Sequence, residues 1–597
     1  MRSNKKISLI EQPLSRIDWF IFIFFAVVSF FTFQQWDILH TGGSSFAYLN
    51  GHIWDFYDYN KTYMQGNNYL PSTYILFAIW NIPIRLLGLV TVPTSNVSTI
   101  VLMWYKLLPV SVYMISSLLI YKIGLEMGFD YKKSKLCAFV FLTTPIGFFS
   151  QFIFGQYDIF TVFFVLLGFY YYLKNDNKKF IIFFAIAITF KYFALLIFIP
   201  LLLLRVKNVW KIIWNTLCTA IPFLLEVGFY IHSVAFRKGV FGFGATGYLL
   251  QASIETSFFQ IRLFILGWIL TCAWAYFIKS ENKKDEIKWT LYFCNITIFL
   301  IFGLSMWHPQ WLLFAVPFWV LSTFINKKPD IFFLIDILMM FFFIGFTVNV
   351  WTNHVDQNLF NLGILKEYTT NIIGTSFTMS DLFIIKDKSL WFSFFSALLL
   401  VNTVFKHPKF CLENFYENID KHWNLIRARF TIGISIFLIP AFISFAACFI
   451  LPKPIFTVPT QNLTIVNPIT DGRQVEQSFI ATANNISKVK VQIGTYVRKN
   501  NSSLEMYISD MESNQVIYTA KIDVPNLVDN EFAEIKVPDI AIKKGNKYII
   551  GFKAKNTRAT DFITIYRTES NLNESAGYAI VDGQKQDYNL NVQVFGK

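Results

Sequence analysis

Between Asp18 and Ile450 the chain is a succession of apolar runs, many close to bilayer-spanning length, separated by short polar breaks rich in Lys and Arg. A helix needs about 20 apolar residues to cross the hydrocarbon, because every backbone N–H and C=O must be paired within the segment. No soluble fold can hide so many runs: 54% of the residues are hydrophobic and only 15% charged, where a soluble domain carries about 25% charged residues. A water-soluble enzyme and a disordered chain are both excluded. The formal net charge of +14 points to cytoplasmic loops in a membrane protein, and no nucleic-acid partner is expected. The basic start, Met1 to Lys6, leads into a long apolar run with no small-residue cleavage site, so it does not read as a signal peptide.

Candidate spans lie at 18–36, 101–124, 136–154, 159–173, 209–232, 263–279, 288–306, 311–326, 330–350, 388–405 and 430–451. Seven basic clusters, from Lys5/Lys6/Arg16 to Lys406/Lys409/Lys421/Arg427/Arg429, test the topology. Placing all seven inside makes 72–90 an interfacial helix and makes 180–204 turn back near Lys191. The result is a polytopic α-helical bundle of about 13 crossings with the N-terminus inside. The first outer loop, 37–100, then carries interfacial helices. Further outward segments are 155–158, 233–262, 307–310 and 351–387.

Composition changes near residue 452. After Leu451-Pro-Lys-Pro the chain is polar, with short alternating stretches rich in Val, Ile, Thr and Tyr, and no cysteine occurs after Cys448. Such alternation with Asn- and Gly-containing turns predicts an all-β sandwich, jelly-roll-like, over 458–597, outside the membrane; residues 1–452 form the membrane module. Tyr507, Tyr518, Tyr548, Phe552 and Tyr566 fall mostly on alternating strand positions, which reads as core more than as a carbohydrate-binding platform. A glycan-binding role and a plain docking role both stay open.

The chemistry-bearing residues concentrate on the outward side. Asp37 stands where the first run leaves the bilayer, and a partly desolvated carboxylate there suits a general base; the plainer alternative is a loop cap. His40, three residues on, is a candidate for the acceptor or second acidic site together with Asp55, Asp58 and Asp158. Asp55 and Asp58 share a helix face, either as a second acidic site or as a solvated surface. Asp158, in Gly155-Gln156-Tyr157-Asp158, is a candidate for holding an acceptor hydroxyl or a metal, or a plain N-cap. Lys191 interrupts an apolar stretch, which marks a phosphate-binding candidate or a snorkelling side chain. Arg237 and Lys238, beside the glycine-rich run Gly242–Gly247, run against the inside bias for cations, and an anionic lipid head or phosphate would account for them. His308 and Gln310, in Trp307-His-Pro-Gln-Trp311, form a polar turn or part of an aromatic belt. The histidines are too scattered for a zinc pattern. Asp336, inside a run, reads as a polar contact within the bundle.

The order of these elements resembles the GT-C superfamily of membrane glycosyltransferases over roughly 15–325, closest to the branch of dolichyl-phosphate-glucose glucosyltransferases and related bacterial enzymes. The resemblance is carried by Asp37 after the first span, by Tyr69-Leu-Pro71-Ser-Thr-Tyr74, by Gln156-Tyr157-Asp158 followed by Phe190-Lys191-Tyr192, and by Arg237-Lys238-Gly239 and His308-Pro309-Gln310. The family more often has two prolines in the Tyr-Pro element. The resemblance implies a polyprenyl-phosphate sugar donor and transfer, with inversion, to a hydroxyl of a cell-envelope glycan or glycolipid such as a teichoic acid or wall polysaccharide. It implies Asp37 as base and Arg237, Lys238, Lys191, His308 and Gln310 around the donor phosphate. No cofactor is expected, and no metal, since the donor carries a monophosphate. A polyprenyl-phosphate-sugar synthase and a flippase would act upstream. A lipid-linked glycan flippase, or a polymerase or ligase using a lipid diphosphate, is the alternative. The setting implied is a bacterial cell membrane.

Overall fold

The computed structural model describes residues 13–64, 67–242, 245–351, 355, 357–365, 378–416, 420–450, 452–458, 463–496, 498, 500–527, 529–557, 563–568 and 577–597. Lys5, Lys6, Phe243, Gly244 and much of the expected outward loop 351–387 lie outside them. The chain forms two compact units that divide at Ile443/Ser444, within the last helix.

The first unit is helical. Among the described residues, four helices are long and apolar enough to cross a membrane: Thr99–Met127, Val209–Tyr230, Pro329–Val350 and Trp423–Ile450. Two bent pairs raise this to six, Arg16–Thr32 with Trp36–Leu49 at 70° and Tyr131–Leu142 with Pro145–Phe154 at 56°. Shorter apolar helices include Asp158–Leu173, Ala194–Arg205, Leu263–Phe277 and Lys388–Val404. The expected count of about 13 crossings rests on these shorter helices. Sixteen residues of Asp158–Leu173 reach only about 24 Å at 1.5 Å per residue, short of the full hydrocarbon.

The stretch read as turning near Lys191 does so. Helices Asn177–Phe190 and Ala194–Arg205 lie antiparallel: Phe180 stacks on Phe198 at 4.9 Å, and Arg205 reaches back to the Tyr172 carbonyl at 2.6 Å. Residues 72–90 fall largely within the helix Pro71–Leu86. Its N-terminus is capped from outside the segment, because the Ser72 amide donates to Glu226 at 3.1 Å, which satisfies an otherwise orphaned N–H. Gly42, in Trp36–Ser44, lets that helix lie flush on Thr99–Met127, since a Cβ there would sit 2.3 Å from the Tyr105 ring. Asp336 is the bundle-internal contact expected of it: the fully buried Arg429 pairs with it at 3.0 Å, and Arg429 also donates to Thr143 and the Val140 carbonyl at 2.9 and 2.8 Å. A buried charge needs such partnering; the Arg429 Nε stays buried without a partner.

The second unit is a sandwich of a six-stranded and a seven-stranded sheet, all pairs antiparallel. Strand pairing begins at Lys453, because Lys453–Phe456 pairs with the terminal strand Val592–Gly596. Inward residues of both sheets, Val475, Phe479, Val489, Val491, Met506, Ile550 and Phe552 among them, form one core. Of the singled-out aromatics, Tyr548 and Phe552 are core, Tyr518 packs against it, Tyr507 is buried with its hydroxyl donating to Glu476, and Tyr566 donates to Asn530 at 2.5 Å.

Candidate functional site

Asp37 is the second residue of the helix Trp36–Ser44, which starts after the chain bends sharply at the end of the first helix. The bend is held by Gln35, whose side chain caps the new helix by accepting from the Asp37 amide. This brings the carboxylate to the segment that follows the bent pair Tyr131–Leu142 and Pro145–Phe154. There Gln156 donates from Nε2 to Asp37 Oδ2 at 2.7 Å. Gln156 is itself fixed at both ends of its amide, since its Oε1 accepts from the Tyr157 amide at 3.0 Å. Its own carbonyl accepts from Gln151 at 3.2 Å.

Asp158 opens the helix Asp158–Leu173, and Lys191 sits in the turn between the two antiparallel helices. The two meet at 2.7 Å with side-chain exposures of only 4% and 14%. Lys191 also lies over the Trp311 ring at 4.4 Å. Burial pulls the Lys191 ammonium below the ordinary lysine range, and the Asp158 carboxylate pulls it part of the way back. The other Asp158 oxygen is buried without a partner. His308 precedes the 3-10 turn Pro309–Phe314 and stacks on Trp351 at 4.1 Å. Gln310, in that turn, has a buried Oε1 without a partner.

Asp37, Lys191, His308 and Gln310 line one cavity of about 170 Å³. Its remaining wall is aromatic and amide: Asn68, Tyr69, Tyr157, Phe190, Tyr192, Phe193 and Trp311, with Leu70 and Val240. The space suits a single small ring. The lining combines a carboxylate, an ammonium, an imidazole and flat aromatic faces, and it offers Gln310 Oε1 as an acceptor still lacking a donor. A hydroxyl-rich ligand bearing one anionic group matches that inventory.

The other singled-out residues are placed elsewhere. Arg237 is exposed and donates to the carbonyls of Ile231 and His232 at 2.5 and 3.1 Å, just past the helix Val209–Tyr230. Lys238 is exposed beside it, and what their turn sends into the cavity wall is Val240. Asp55 is exposed and pairs with His52 at 3.0 Å. Asp58 accepts from the Ala235 amide at 3.4 Å, joining the helix Phe56–Tyr63 to the Arg237 turn. His40 is not in the cavity wall, and its Nδ1 is buried without a partner. Among the described residues no group of three His, Cys, Asp or Glu side chains could hold a metal ion.

Two kinds of residue escaped the sequence reading as site components. The aromatic wall sits inside the motifs already quoted, as Tyr69, Tyr157, Tyr192 and Trp311, where adjacency to a polar site residue was the available signal. Lys106, buried in Thr99–Met127, carried the same signal as Lys191, a lone charge within an apolar run. No protein-family model matches the chain, and no curated protein matches it.

Proposed function

We propose that the chain is an integral membrane glycosyltransferase that moves a sugar from a polyprenyl monophosphate to a hydroxyl of a cell-envelope glycan or glycolipid, with inversion. Asp37 takes the proton from the acceptor hydroxyl. The hydroxyl oxygen forms its bond to the anomeric carbon as the bond from that carbon to the phosphate oxygen breaks, and the electron pair leaves with the lipid phosphate. Lys191, with His308, stabilises the charge developing on that phosphate, the term such a departure most needs. Tyr69, Tyr157 and Trp311 supply flat faces for the sugar ring, and Gln310 accepts from one of its hydroxyls. In this reading the bundle makes about 13 crossings, the cavity opens outward, and the β-sandwich is extracytoplasmic on a bacterial cell membrane.

The observation that carries the reading is the convergence of Asp37, Lys191, His308 and Gln310, from three distant stretches of chain, on one aromatic cavity. It favours a monophosphate over a diphosphate donor. Among the described residues, the only lysine or arginine in that wall is Lys191, already opposed by Asp158, while Arg237 is engaged by backbone carbonyls. Membranes carrying the protein are assayed with a panel of labelled polyprenyl-phosphate sugars, beside the Asp37→Asn variant. Transfer from at least one donor, lost in the variant, is expected. Transfer from no monophosphate donor, or full activity in the variant, overturns the proposal.

A further inference from the structure

We propose that Lys106 is the positioning residue that holds Asp37 against Gln156, an inference that rests on the reading of Asp37 as the base. Lys106 lies in the helix Thr99–Met127 and is completely buried, so its head does not snorkel to a membrane surface. Its Nζ donates to three main-chain carbonyls, Phe30 at 3.3 Å, Phe33 at 2.5 Å and Ile153 at 3.2 Å. All three partners are acceptors, and only an ammonium has three N–H groups to give them.

The carbonyls belong to the ends of two separate helical segments. Phe30 and Phe33 close the first helix, whose last carbonyls have no partner along the helix and carry its negative dipole end. Asp37 follows four residues after Phe33. Ile153 lies in the π-helical turn Phe149–Phe154, and Gln156 follows three residues later. One side chain therefore pins both segments at the points from which Asp37 and Gln156 reach each other. The lysine stem is part of the same clamp. Gly155 turns at φ +76°, and a Cβ there would lie 2.8 Å from Lys106 Cγ, so the Gln156 segment rests directly on the stem. A base displaced by about 1 Å by a change distant from the chemistry loses on the order of 100-fold in rate.

The test uses the full-length protein in lipid nanodiscs and the variants Lys106→Met, which keeps the stem and removes the donors, Gln156→Ala, and the two combined. Hydrogen exchange reads the clamp without any reaction. Lys106→Met is expected to speed exchange about 10-fold or more in peptides covering residues 33–41 and 153–160, with Pro329–Val350 unchanged. Unchanged exchange in both peptides, or a uniform rise across the bundle, overturns the clamp. Transfer kinetics read its purpose. Lys106→Met is expected to lower kcat about 100-fold at unchanged donor KM, and the double variant to lose no more than the more damaged single one. Losses that multiply show that Lys106 does not act through this pair. If the wild-type protein transfers no sugar, the assigned reaction fails while the exchange measurement still decides the clamp.

Discussion

Gln156 Nε2 donates to Asp37 Oδ2 at 2.7 Å, across 119 residues of chain. The amide fixes one carboxylate oxygen, so the direction of the carboxylate is set before any ligand arrives. That is the arrangement a base needs, because the cost of orienting it is met in folding. Asp37→Asn keeps the size of the group and removes its basicity. It is expected to lower sugar transfer by about 100-fold to 10,000-fold with donor binding intact, measured as kcat and donor KM in proteoliposomes. Gln156→Ala keeps the Asp37 carboxylate but removes the amide that orients it, and is expected to cost less than Asp37→Asn. A Gln156→Ala loss exceeding that of Asp37→Asn would reverse the assignment of base and orienter.

The cations separate in the structure, and so do their expected effects. Lys191 faces the cavity, while Arg237 closes carbonyls beyond it. Lys191→Ala is therefore expected to raise donor KM about 10-fold to 100-fold, the worth of a hydrogen bond to a charged group. Arg237→Ala and Lys238→Ala are expected to change it roughly threefold or less, the scale of an exposed charge. Equal effects of Lys191→Ala and Lys238→Ala on donor KM would return the phosphate to the Arg237 turn.

The contrast marks what the sequence could and could not tell. Lys191 and Asp37 were legible because a charge beside or inside an apolar run is costly without a task. Arg237 and Lys238 were legible as anomalies, but their direction was not: whether a loop cation meets a ligand or a helix-end carbonyl depends on the backbone path, which no spacing encodes. The same holds for Asp55, which finds His52 three residues away. The turn at Lys191 and the change to strands after residue 452 were legible from periodicity and charge. The short helices that separate about 13 expected crossings from four long ones were not, because hydropathy runs do not reveal where a helix breaks.

The Lys191–Asp158 pair gives a pH dependence with a definite sign. Burial lowers the Lys191 pKa, and Asp158 opposes that shift. The ammonium is thus lost on raising the pH before an ordinary lysine, near 10.4, would lose its proton. Donor KM is expected to rise on that alkaline limb. Asp158→Asn removes the opposing charge, so the limb moves to lower pH. Donor KM profiles of the two proteins in nanodiscs check this, and a limb that stays in place or moves upward in the variant contradicts it.

The β-sandwich closes on its own last strand. Val592–Gly596 lies between Asn485–Gly494 and Lys453–Phe456 and pairs with both. Val592, Val594 and Phe595 are at most 1% exposed. Burying three such side chains contributes about 5–9 kcal/mol at about 1.5–3 kcal/mol each, comparable with the whole stability of a domain, about 5–15 kcal/mol. Residues 452–597 expressed alone are expected to be soluble and to melt cooperatively. The same fragment ending at Asn591 is expected to lose its cooperative transition, because removal uncovers the edges of two strands at once and leaves Val489 and Val491 paired on one side only, with Ile535 and Ala533. Circular dichroism melts of the two fragments make the comparison, and equal melting temperatures would show that the terminal strand does not hold the sandwich together.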